Sequence, residues 1–230
     1  MAKAQAGILA PLPEQGRYVF FTLAGSGAAL TSALSKLQAT AVDGKVVVGI
    51  GLQVLQKMGK QLSLMREFPH LKGAMFEAPS TPYALCLWLR SDQRGELLAI
   101  TAKLASMLAP AFKIDHAVDA FLHERTASGH GRDLTGYEDG TENPEADAAV
   151  AASITAGQGE GVDGSSFWAL QQWMHDYAAF GRMSVNEQDN TVGRRCSDNE
   201  ELEDAPESAH VNRTAQESFE PEAFVVRRSM

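Results

Sequence analysis

The chain has few cysteines and no long hydrophobic run. The first argues against a cysteine-based metal or redox site, and the second against a membrane span. Cys86 and Cys196 are the only two thiols among 230 residues, and their separation matches neither a metal-binding nor a redox spacing. So few thiols favour a reducing compartment. No stretch offers the roughly 18 apolar residues of a membrane span, and the N-terminal residues lack the apolar core of a signal peptide. We therefore expect a cytoplasmic protein with no membrane partner.

Basic residues are also in the minority. Lys and Arg number 20 against 29 Asp and Glu, which gives a formal net charge of -9. Binding to nucleic acid or to an anionic membrane needs clustered Lys and Arg, so neither is expected as a partner. The sequence also lacks H-E-x-x-H and any Cys/His cluster, so nothing supports a zinc site.

Hydrophobic periodicity predicts a regular first half. Apolar residues recur at helical spacing near residues 30–37, near 52–58 and over 94–108, where Pro110 follows the last helix. Strands are predicted over residues 17–23, 45–51, 83–89 and 111–122. The resulting β-α-β-β-α-β order is that of a ferredoxin-like unit in an α+β protein.

The pattern of the second half predicts the start of another ferredoxin-like unit. We expect a strand over residues 165–174, a helix capped by Ser184 and Glu187 that runs to Val192, an acidic surface loop over 198–208, and a strand beginning at 224–228. A second ferredoxin-like unit built this way would be incomplete. The predicted division is an N-terminal half (1–130), a central loop and connector (131–163) and a C-terminal half (164–230).

A loop near the middle of the chain carries the most specific pattern. It includes Gly136-Tyr137-Glu138-Asp139-Gly140-Thr141-Glu142-Asn143-Pro144, in which Gly and Pro exclude a helix or strand interior. Gly136 and Gly140 flank Asp139, where the backbone can adopt positive φ or approach a bulky ligand. From the residues alone, a glycine-rich turn with solvated carboxylates is the favoured interpretation.

This run, preceded by Gly131-Arg132-Asp133-Leu134-Thr135, resembles the signature of the dye-decolorising peroxidases, which are haem enzymes. The resemblance extends over the whole chain and implies one haem b per chain, hydrogen peroxide as oxidant, and broad organic donors such as dyes and phenolics. It also implies a homo-oligomer, and some relatives are carried inside encapsulin shells.

The resemblance assigns roles to individual residues. His210, in Ala209-His210-Val211-Asn212-Arg213, matches the axial ligand of the haem iron. Asp139 would shuttle a proton between the peroxide oxygens, Arg227 would stabilise their developing charge, and Ser229 would orient peroxide or water. The resemblance also places Asp139 and Arg227 among the residues that bind the haem. Because alternate residues of a strand face the same way, Arg227 and Ser229 can share a pocket.

Other interpretations remain open for several of these residues. A lone histidine is more often a surface or hydrogen-bonded core residue, and Arg227 would also suit a solvated basic edge strand. Arg194 resembles an arginine that binds a haem propionate, but it would equally complement a helix C-terminus. Four aromatic residues have two open interpretations. They would either relay electrons to large substrates or simply pack in the core and at its rim: Trp168, Trp173, Tyr137 and Tyr177.

Two functions of other classes compete with the peroxidase. A haem-binding or haem-delivery protein would need His210 but neither Asp139 nor Arg227. An α+β dimerisation module would need no haem.

Overall fold

A computed structural model describes residues 4–40, 43–73, 76–127, 129–220, 222 and 224–230. The chain forms two compact units: Met1–Phe121 with Ile154–Ala169, and Leu122–Ser153 with Leu170–Met230. The structure thus groups the second part of the predicted connector with the first unit. The division into 1–130, 131–163 and 164–230 stays a prediction about domains. Among the described residues, no helix is both long and apolar enough to cross a membrane.

The first unit is built on a four-stranded antiparallel sheet with the order β2-β5-β1-β6. Its strands are β1 (Gln15–Leu23), β2 (Val46–Ile50), β5 (Leu85–Ser91) and β6 (Phe112–Phe121), and its helices are α1 (Gly27–Thr40), α2 (Leu52–Lys57) and α3 (Arg94–Leu108). A separate short hairpin pairs β3 (Leu71–Lys72) with β4 (Glu77–Ala78). This arrangement confirms the predicted ferredoxin-like β-α-β-β-α-β unit.

The core of this unit lies between one face of the sheet and the helices. Val19 and Phe21 of β1 are buried and stand opposite Leu87 and Leu85 of β5. Because side chains alternate across a strand, these residues share the face that meets the helices. The helices complete the core with leucines at helical spacing: Leu30, Leu37, Leu97, Leu104 and Leu108. Helix α3 spans the residues that periodicity predicted.

The second unit has shorter elements. Its three-stranded antiparallel sheet has the order β7-β8-β9, from β7 (Glu124–Arg125), β8 (Gly131–Arg132) and β9 (Glu138–Asp139). Its helices are α4 (Ala146–Ser153), α5 (Tyr177–Phe180), α6 (Val185–Val192) and α7 (His210–Thr214), followed by a 3-10 turn at Gln216–Ser218. The predicted capping box of α6 is confirmed, because Ser184 and Glu187 each bond the backbone of the other. The turn-rich, mainly exposed segment 198–208 confirms the predicted surface loop.

Two strand predictions in the second half are wrong. Residues 165–174 and 224–228 form no strand with any described part of the chain. In the first segment, Trp168 packs its ring against Gly49, where an added Cβ would lie 2.9 Å from Trp168 Cε3. In the second, side-chain amides bond the backbone in place of a neighbouring strand: Gln216 accepts from Val225 N, and Asn143 bonds Arg227.

Candidate active site

The signature loop is a hairpin that carries Asp139 at its end. Strands β8 and β9 pair Gly131 with Asp139. The connecting turn is closed by Asp133 Oδ1, which accepts from Thr135 N at 2.7 Å, and by Gly136 N, which donates to Asp133 O at 3.0 Å. Gly136 has φ +90° and Gly140 has φ +82°, a region that suits glycine. Asp139 is therefore held, half-buried, between a paired strand and a glycine turn.

The loop is anchored to the segment around α6. Tyr137 is buried and donates from its hydroxyl to Asp189 Oδ1 at 2.5 Å. Burial, reinforced by the bond to Asp189, raises the pKa of Tyr137, so its hydroxyl stays a donor. Arg132 donates to the carbonyl oxygens of Gly136 at 2.6 Å and Cys196 at 3.2 Å. These bonds tie the loop to the segment around α6.

Arg227 is joined to the signature loop through its main chain. Asn143 Nδ2 donates to Arg227 O, and Arg227 N donates to Asn143 Oδ1, each at 2.7 Å. A Cβ added at Gly140 would lie 2.9 Å from Asn143 Nδ2, so the absence of a side chain at Gly140 leaves room for this pair. The structure thus brings the loop of Asp139 and the segment of Arg227 together.

Helix α7 joins the same network. It begins at His210, directly after the buried Ala209, and ends at Thr214. Arg227 Nη1 donates to Thr214 O at 2.9 Å, so the arginine contacts the end of the helix that starts with His210. The His210 side chain is exposed, and its ring has no hydrogen-bond partner in the described part of the chain.

Arg194 is occupied by protein carboxylates. It pairs with Glu142 at 2.5 Å and Glu201 at 2.9 Å, donates to Asn199 O at 3.0 Å, and leaves 11% of its side chain exposed. It follows Gly193, which ends α6 with a left-handed conformation. Arg194 thus bonds to the signature residue Glu142, and three hydrogen bonds to protein oxygens already engage its guanidinium.

At the end of the described chain, exposed and half-buried residues alternate, although no strand forms there. Arg227 and Ser229 are exposed, and Arg228 between them is half-buried. The two predicted residues are therefore both accessible to solvent. Within the described residues, however, no hydrogen bond ties the Ser229 side chain to the network of Asn143, Arg227 and Thr214.

Sequence reasoning overlooked the residues that connect the site. Asn143 lies within the signature motif, but the motif by itself assigns it no role, and Asp189 and Thr214 carry no local signal. Of the four aromatic candidates, only Tyr137 is a core residue, at 4% exposure. The others are more exposed, at 39% for Trp168, 54% for Trp173 and 45% for Tyr177.

Comparisons with known proteins find similar chains in one group of enzymes. Residues 130–230 match the family model of the Dyp-type peroxidase C-terminal region. The chain is 28% identical to the dye-decolorizing peroxidase of Mycobacterium tuberculosis over 89% of its own length, and 28% identical to that of Rhodococcus erythropolis over 96%.

Over most of its length the chain is similar to DyP-type peroxidases, in sequence and in fold.

The DyP-type fold extends over most of the chain. An encapsulated DyP-type peroxidase from Mycobacterium smegmatis superposes with a TM-score of 0.73 at 25% identity, covering 92% of this chain and 71% of that one. A DypB variant from Rhodococcus jostii in complex with heme gives a TM-score of 0.75 at 23% identity, covering 91% and 71%. The chain spans 64% of the M. tuberculosis relative and 67% of the R. erythropolis relative.

Proposed function

We propose that this chain is a haem-dependent peroxidase that reduces hydrogen peroxide to water while it oxidises organic donors, such as dyes and phenolics, in one-electron steps. The observation that carries the proposal is the connection of three segments. Asn143 of the signature loop bonds the main chain of Arg227, and Arg227 bonds the end of the helix that begins at His210. An acid, a cation and an imidazole thus lie on one connected framework.

The residues present fit one haem b, which His210 would hold. The His210 ring is exposed, and a neutral imidazole is a common ligand of haem iron. Arg194 fits a propionate less well, since Glu142 and Glu201 already bind it. Haem, when bound, would supply a redox-active iron at which peroxide reacts. We therefore assign haem binding to His210, whereas Arg194 holds Glu142 and Glu201 in place.

The protein side chains supply proton transfer and charge stabilisation. The main chain of Asp139 is held by β9 and by the Gly140 turn, and its carboxylate oxygens can take up a proton and return it. Arg227 has five N–H donors, and the bond to Thr214 O uses a donor of Nη1. The remaining donors can stabilise negative charge on peroxide oxygens. Ser229, which is also exposed, would orient peroxide or water.

Assembly and location belong to the same proposal. We place the protein in the cytoplasm as a homo-oligomer, in keeping with the resemblance and with the two thiols. One similar structure is that of an encapsulated DyP-type peroxidase from Mycobacterium smegmatis. Carriage of this chain in such a shell is part of the proposal and is testable by co-purification with an encapsulin.

A haem titration followed at the Soret band tests the ligand. The parent chain should bind haem stoichiometrically, and His210→Ala should lose or shift the band. His175→Ala is the matched control, because His175 is another exposed histidine of the second unit. A band unchanged by His210→Ala would remove this residue from its role, and no band in the parent would refute haem binding by this chain.

Peroxide turnover then separates the enzyme from a haem-delivery protein. Asp139→Asn and Arg227→Leu should each lower kcat/KM for peroxide by roughly a hundredfold or more, as loss of a general acid–base or charge-stabilising group does. Haem binding should persist in both. Haem loading without turnover in the parent would instead support binding or delivery of haem.

A further inference from the structure

The two bonds between Asn143 and Arg227 require an amide. The residues lie 84 positions apart in the chain, and Asn143 both donates to Arg227 O and accepts from Arg227 N. An ionised Asp could only accept, and Ala could do neither. The pair is therefore specific to the chemistry of residue 143, since one side chain satisfies both main-chain groups of Arg227.

Both the main chain and the side chain of Asn143 also contact Gly140, in the turn that follows Asp139. Asn143 N donates to Gly140 O at 3.2 Å, and an added Cβ at Gly140 would come within 2.9 Å of Asn143 Nδ2. The path from the strand of Asp139 to the main chain of Arg227 thus runs through Gly140 and Asn143. No side chain of Asp139 or Arg227 takes part in it.

The segment around Arg227 depends on such bonds. Residues 224–228 have no strand partner among the described residues, and side-chain amides of Gln216 and Asn143 bond their backbone. The bond from Arg227 Nη1 to Thr214 O is exposed. Without Asn143, the main-chain N–H and carbonyl of Arg227 would both lose their hydrogen bonds to the Asn143 side chain.

We propose that Asn143 is a positioning residue, which sets where the Arg227 guanidinium lies relative to the Asp139 carboxylate. This role rests on the proposed peroxidase function. Asn143 acts through Arg227 and contacts neither peroxide nor cofactor in this assignment. Its loss changes the placement of a group on which turnover depends, and small misplacements of such groups lower rates strongly.

Hydrogen exchange tests the contact without cofactor or turnover. In the full chain, Asn143→Ala should speed exchange of the Arg227 amide by about tenfold, the order expected for a lost net hydrogen bond. Asn143→Asp should give a smaller increase, because it keeps the acceptor for Arg227 N. Gln188→Ala is the matched control, as Gln188 is another amide of the second unit that bonds carbonyls, those of Phe180 and Met183. Unchanged exchange at Arg227 in Asn143→Ala would overturn the proposal.

A double-mutant cycle tests the positioning role on the haem-loaded chain. Asn143→Ala should lower kcat/KM for peroxide by about tenfold, and it should have no further effect in the Arg227→Leu background. Additive effects would show a merely structural contribution and overturn the role. If the parent lacks turnover, the proposed function and the positioning role both fail, whereas the exchange result still decides whether Asn143 holds Arg227.

Discussion

Gly193 at the end of α6 lies directly against Val211 at the start of α7. A Cβ added to Gly193 would lie 2.2 Å from Val211 Cγ2 and 3.2 Å from the Cβ of Ala209. The residue also has φ +93°. The helix that begins with His210 can therefore pack on the α6 terminus because residue 193 has no side chain.

Gly193→Ala should destabilise the second unit strongly. Positive φ alone costs a residue with a Cβ about 1 kcal/mol, and the overlap with Val211 raises the expected loss to about 3 kcal/mol. Urea unfolding followed by fluorescence measures it. Gly129→Ala is the matched control, since Gly129 has φ +89° with open space around it and should cost about 1 kcal/mol. Equal losses in the two variants would contradict the contact.

Tyr137→Phe should change how stability depends on alkaline pH. Burial and the bond to Asp189 raise the pKa of Tyr137 above the value of about 10 in an unfolded chain. The stability that depends on the neutral hydroxyl is thus fully present below pH ~10 and is lost as pH rises above it.

The parent should therefore lose more stability than Tyr137→Phe between pH 9 and 11, measured as urea midpoints at each pH. At pH 7 the variant should be less stable by about 1 kcal/mol, because the bond to Asp189 is gone. Tyr177→Phe, at a residue that is 45% exposed, should follow the parent. If the urea midpoints of Tyr137→Phe and of the parent fell equally with pH, Tyr137 would not cause the pH dependence.

Arg194→Ala should destabilise the second unit and loosen the signature loop. The side chain is 11% exposed and bonds Glu142, Glu201 and the carbonyl of Asn199. Losing a mostly buried cation with three partners should cost about 2 kcal/mol in urea unfolding. Arg195→Ala is the control, because Arg195 is 46% exposed and pairs with the nearby Asp198, so little change is expected. Weaker haem binding with unchanged stability would instead favour contact of Arg194 with a propionate.

The sequence by itself determined the secondary structure of the first unit, and its signature motif predicted the candidate site residues. Strand alternation around Val19 and Phe21, and leucine spacing in α3, report burial directly, because the periods of strand and helix are local properties of the backbone. The Ser184 and Glu187 capping box was readable for the same reason, since both of its bonds lie within one helical turn.

Only the tertiary structure decided how the second unit is held together. Residues 165–174 and 224–228 have the composition of strands, but a strand needs a partner, and pairing is not a local property. Contacts such as Asn143 with Arg227 and Tyr137 with Asp189 join residues 84 and 52 positions apart. No short-range pattern encodes them, because they depend on which segments the fold brings within hydrogen-bond distance.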